Sequence, residues 1–140
     1  MKAYDKALSL LAIREHTAKE IRLKLIGKGY GDEEVEEAIS RLLEEGAIND
    51  IRYIESYVRS RNRKGGESVR LMMLKLKDKG VCSTCLESFL SEYKESDEYF
   101  SLLKKSYDAL SAKKGDESAI RSLMNKGYTL NEIKRAKKDY

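Results

Sequence analysis

Apolar side chains recur along this chain three, four and seven positions apart. Ile21 and Leu25 open the pattern, Val69, Met72, Met73 and Leu76 carry it through the middle, and Ile120, Leu123 and Met124 repeat it near the end. That period puts the apolar residues on one face of a helix, and no stretch alternates as a half-buried strand would. Proline is absent, so no residue lacks the backbone donor a helix needs. Leu, Lys, Glu, Arg and Ala are frequent, and all of them favour helix.

A longer period lies over the helical one. The strings LIGKGY (25–30), LKDKGV (76–81) and LMNKGY (123–128) share L-x-x-K-G-[YV] and stand 51 and 47 residues apart. Each glycine follows an amphipathic run, as a left-handed residue that stops a helix does. Five residues beyond each final Tyr or Val comes an apolar anchor, Val35, Leu86 and Ile133. Helix starts follow the stops. Thr17-x-x-Glu20, Thr84-x-x-Glu87 and Thr129-x-x-Glu132 have capping-box spacing, and Asp32 is the capping candidate of the first copy.

The predicted fold class is therefore all-α, three tandem three-helix repeats at 1–46, 47–93 and 94–140, the last divergent. The helices fall at 4–15, 17–27 and 32–45, then 50–64, 67–78 and 83–93, then 96–113, 116–125 and 129–138, the last running to the C-terminus. A unit of about 45 residues buries little core alone. We expect the units to stack into an elongated, curved body, with limited bending at the joints 47–49 and 94–95.

Charge changes the picture next. Charged residues make up 37% of the chain, and 28 basic against 24 acidic side chains give +4. The excess is uneven: 8 − 10 = −2 over 1–46, 9 − 6 = +3 over 47–93 and 11 − 8 = +3 over 94–140. The densest part is 52–79, where 9 − 3 = +6. It overlaps the stretch GAINDIRYIESYVRSR (46–61). There Gly46 stops one helix and Asn49 or Asp50 caps the next. Ile51, Ile54 and Val58, with Tyr57 beside them, form the core face. At about 100° per residue, Arg52, Arg59 and Arg63 line another side. Arg61 and Lys64 flank that row, and Arg70, Lys75, Lys77 and Lys79 follow. A solvated helix face is the plain reading of such a row. Its concentration in one third of the chain makes Arg52, Arg59, Arg63, Lys64, Arg70, Lys75 and Lys79 the candidate DNA- or filament-binding residues.

Three of these motifs, in this order, resemble the RecX family of recombination regulators. NDIRYIESYVRSR (49–61) resembles the family's second-repeat signature, [ND]-D-x-R-[FY]-A before a basic helix. LLAIREHTAKEIRLKL (10–25) is similar to its opening, and LKDKGV to its L-x-x-K-G-[IV]. Arg14, Arg22, Asp50 and Tyr53 carry the match, which covers 4–93 well and the last repeat weakly. Ile54 stands where the family often has Ala, and the glycine expected near the next helix is displaced to Gly65-Gly66. The resemblance implies a non-enzymatic, all-helical protein that binds in the groove of the RecA recombinase filament on DNA. There it would inhibit ATP hydrolysis, strand exchange and coprotease activity. Its partner would be that filament, with DNA as a second candidate contact through the basic stripe.

Other chemistries find little support. Cys82 and Cys85 form one C-x-x-C, and a structural zinc needs four ligands where this chain adds only the distant His16. His16 has no nucleophile motif around it, and no glycine-rich phosphate loop is present. We expect no catalytic residue, cofactor or metal. The apolar run 7–13 is too short to span a membrane, which leaves the cytoplasm as the expected address, and with no leftover heptad seam we expect a monomer. The nine tyrosines and the Met72-Met73 pair read mostly as packing. The main rival is a helix-turn-helix transcription regulator, because three-helix units with a turn glycine describe that class too. A scaffold module that binds only protein is the second.

Overall fold

A computed structural model describes residues 1–139 of the chain, and every regular element among them is α-helical. In order they are α1 (Ala3–Ile13), α2 (Ala18–Gly27), α3 (Asp32–Glu44), α4 (Asp50–Asn62), α5 (Val69–Asp78), α6 (Ser83–Tyr93), α7 (Asp97–Lys114), α8 (Asp116–Asn125) and α9 (Leu130–Asp139). Tyr140, where the last helix was expected to end, lies outside the described residues.

The L-x-x-K-G-[YV] strings are helix stops. The N–H groups of Tyr30, Val81 and Tyr128 donate to the carbonyls of Leu25, Leu76 and Leu123, each at 3.2 Å. Gly29, Gly80 and Gly127 donate one turn inside, each at 3.0 Å. This pair of bonds needs a left-handed residue between them, and the glycines supply it with φ of 95°, 93° and 100°. The three leucines are buried, so one string ends a helix and anchors it at once.

The starts differ more from expectation. Thr17 and Glu20 form the capping box, as do Thr129 and Glu132, whose reciprocal bonds are 2.9 and 3.1 Å. Asn49 caps α4 through Oδ1 to the N–H of Arg52 at 2.9 Å. The Thr84–Glu87 box does not form. Helix α6 already begins at Ser83, its N-cap is Cys82, and Asp50 Oδ2 reaches across to accept the Cys82 N–H at 2.7 Å. Asp32 does not cap α3 either: Gly31 holds that position, and Asp32, Glu33 and Glu34 fill the first turn, where the helix dipole favours them. Ile51 and Met124 share the core faces by angle but remain 40% and 47% exposed, and Tyr53 fills the place expected of Ile51.

Two apolar cores result. One joins α1, α2 and α3 with Ile48; the other runs continuously from Tyr53 on α4 to Ala136 on α9. Tyr99 ties the second core together: its ring packs edge-on to Tyr93 and Phe100, and its hydroxyl accepts from Val69 N–H and donates to Glu132. The surface is 8416 Å², against roughly 7,400 Å² for a compact protein of this mass. The chain is drawn out accordingly.

Candidate functional site

The two joints between repeats are built alike. Thr17 and Ser68 cap α2 and α5, and both are buried. Each also donates its hydroxyl to the carbonyl of the lysine that ends the next repeat's second helix, Thr17 to Lys79 at 2.5 Å and Ser68 to Lys126 at 3.1 Å. The glycine after each lysine lies so close that a Cβ at Gly80 would stand 2.6 Å from Lys19 Cβ, and one at Gly127 would stand 2.5 Å from Ser68 Oγ. At Gly29 the same Cβ meets nothing within 4 Å among the described residues.

Arg14, Arg52 and Tyr53 of the family motifs gather at the first joint. Arg52 places Nε and Nη2 on the two Glu15 carboxylate oxygens at 3.2 and 3.4 Å. Its remaining donors take the carbonyls of Gly46 and Ala47 at 2.8 and 3.0 Å. Arg14 reaches Glu20 at 3.4 Å. Burial pushes Glu20 up, but the Thr17 N–H and the Arg14 guanidinium outweigh it and leave the carboxyl below its usual range. Tyr53 lies beside this pair, and burial lifts its hydroxyl to about 12. Buried His16 donates Nδ1–H to Arg14 O at 2.9 Å, and its Nε2 accepts from the Lys24 ammonium at 2.8 Å, because a lysine can only donate. Arg22 pairs with Glu36 on α3 at 2.6 Å.

The seven candidate cations fall into three groups. Arg52 is engaged as described, and Lys75 pairs with Glu67 at 2.8 Å. Arg59, Arg63, Lys64 and Arg70 are exposed, and none makes an ion pair or side-chain hydrogen bond within the described residues. Lys79 is half-buried at the first joint, where its charge helps hold Glu20 down. Arg59 and Arg63 lie one turn apart at the end of α4. Their mutual repulsion is a few tenths of a kcal/mol, and the helix C-terminus offsets a similar amount. Arg61, expected beside the row, turns inward instead: its guanidinium lies 5.2 Å from the Tyr57 ring centroid and its Nε is buried without a partner. Its angle along α4 falls among Tyr53, Ile54 and Tyr57, so periodicity could have placed it.

The structure adds cations that sequence reasoning passed over. A groove of about 500 Å³ brings Arg70 beside Lys94 and Arg135, and Arg135 pairs with Glu95 at 2.6 Å across it. Lys134 and Lys138 continue the positive surface along α9. The signal was available in the +3 of the last repeat. Cys82 is exposed, and the N–H groups of Cys85 and Thr84 lower its thiol, whereas Cys85 is half-buried. Among the described residues no cluster of His, Cys, Asp and Glu could hold a metal ion, and no helix is long and apolar enough to cross a membrane.

An all-α chain of three-helix repeats, interlocked by capping hydroxyls and carrying unpaired surface cations, defines a tandem-repeat module. Its comparison with known proteins is specific. A family model described as "RecX, first three-helix domain" matches residues 3–42. The regulatory protein RecX of Vibrio vulnificus is 32% identical over 99% of this chain and 93% of its own. That of Prosthecochloris aestuarii is 30% identical over 96% and 90%. The crystal structure of RecX from Lactobacillus salivarius shares the fold with a TM-score of 0.83 at 24% identity, covering 98% of this chain and 93% of that one. The chain belongs to the RecX family of regulatory proteins.

Proposed function

We propose that this chain is a non-enzymatic regulator that binds the RecA recombinase filament on DNA and lowers its ATP hydrolysis, strand exchange and coprotease activity. It acts as a cytoplasmic monomer in DNA recombination and repair, and its contact modules are the units 1–46, 47–93 and 94–140. The observation that carries this reading is the set of exposed, unpaired cations Arg59, Arg63, Lys64 and Arg70 on a chain of the RecX family. Lysine and arginine contacts to phosphate carry no base sequence, which suits a partner that coats any DNA. Arg52 and Lys75 serve the same surface indirectly, by holding the joint and the Glu67 loop in place. The acidic first turn of α3 is a poor start for a base-reading helix, which disfavours the transcription-regulator reading.

The test adds the full chain to RecA filaments on single-stranded DNA and follows ATP hydrolysis. Inhibition at micromolar protein is expected. Undiminished hydrolysis would refute the proposal, and a footprint on one defined duplex sequence would favour the rival.

A further inference from the structure

The repeat register aligns positions far apart in sequence. Lys19, Arg70 and Glu117 share one position, Leu23, Leu74 and Arg121 a second, and Lys28, Lys79 and Lys126 a third. Leu23 and Leu74 are 62% and 61% exposed, while Leu25 and Leu76, two residues on, are buried. The fold does not require an apolar residue there. Arg121 occupies the third copy, exposed, on a helix that ends in the same way.

Leu74 stands at the second joint between cations, and the repeat register gives Leu23 the matching place at the first. Leu74 lines a shallow groove of about 110 Å³ with Arg70, Leu71, Asn125, Lys126 and Gly127. At the first joint the matching residues are Lys19, whose stem lies against Gly80 and whose Nζ donates to Asp78 O at 2.8 Å, and Lys79. The third copy has Glu117 and Arg121 instead, so this arrangement occurs twice among the described residues.

We propose that Leu23 and Leu74, each between the cations of its joint, are two copies of one docking spot for an acidic, apolar-tipped segment borne by successive protomers of the filament. This rests on the filament reading above. Charge selects the acidic segment: Lys19 and Lys79 flank the first leucine, Arg70 and Lys126 the second. Repetition selects a polymer, because two equivalent spots one repeat apart are filled together only by a partner that repeats. Two weak contacts on one rigid chain then bind as a unit, the second at high effective concentration.

The test measures co-sedimentation of the full chain with RecA filaments, using L23S, L74S, the double variant and Leu→Met at both positions. Each serine variant should raise the half-saturating concentration about tenfold and the double variant about a hundredfold, with methionine within about twofold of wild type. Unchanged helical circular dichroism shows that folding is intact, as expected at exposed positions. Wild-type binding by both serine variants would overturn the docking surface and leave the filament reading standing. Loss in only one would overturn the paired spot. Failure of the wild type itself to bind would overturn the filament reading and this proposal with it.

Discussion

The repeat glycines separate two demands that the sequence shows as one. All three take a left-handed φ, and an L residue there costs about 1–2 kcal/mol. Only Gly80 and Gly127 are also met by the preceding repeat. Gly29→Ala should therefore cost about 1–2 kcal/mol in urea unfolding, and Gly80→Ala distinctly more, because the clash is with the rigid base of Lys19. Equal losses would mean that the joint yields. The left-handed turn was legible from the recurring K-G; the close approach was not, because Thr17 and Lys79 are 62 residues apart.

His16 carries a pH dependence. Burial pushes it below the usual 6.5, and the charges of Arg14 and Lys24 add to this against the Arg14 carbonyl and Glu20. The unfolded chain takes up this proton near pH 6.5 and the folded chain only at lower pH. Stability is thus fully present above pH 6.5 and is lost as pH falls below it. Melting temperature against pH should fall less steeply below 6.5 for His16→Gln than for wild type. Identical slopes would remove His16 as the cause.

For the helices, local rules worked where the capping residue had no competitor. Thr17 and Thr129 begin their helices as their spacing requires, and Asn49 caps α4. Thr84 fails because a carboxylate from another helix, Asp50, already holds the Cys82 N–H, a contact 32 residues away in sequence. In the signature, which resembled a basic contact motif, Arg52 and Tyr53 lock the first joint and Asp50 holds the start of α6. Arg59 and Arg63 are what remain of the row without an ion pair among the described residues. Each joint hydroxyl caps one helix and bonds to the next repeat, so Thr17→Val and Ser68→Ala should each destabilise by about 1–2 kcal/mol. Urea unfolding checks this, and a loss of only a few tenths would show the cross-repeat bond to be idle.

Across the whole molecule the joints are unequal, and nothing in the sequence announced it. Limited bending was expected equally at 47–49 and 94–95. The second joint instead shares one apolar core through Tyr99, Phe100 and Tyr128, whereas the first is held mainly by hydrogen bonds and an ion pair around Thr17, Lys19 and Arg52. The helices α1 to α3, with a small core of their own, should open at lower free energy than α4 to α9. Native-state hydrogen exchange would show earlier loss of protection at Ile21, Leu25 and Leu42 than at Leu76, Leu90 and Leu123. Protection of equal depth would mean that the first joint is as cohesive as the second.

The proposed function rests on the cations left unpaired among the described residues. The most direct test compares wild type with R59E/R63E/R70E in the concentration needed to halve ATP hydrolysis by RecA filaments, over a series of salt concentrations. The variant should need at least about tenfold more protein and show a flatter salt dependence, since three phosphate or carboxylate contacts are gone, while its helical signal is unchanged. Equal potency at every salt concentration would contradict the account.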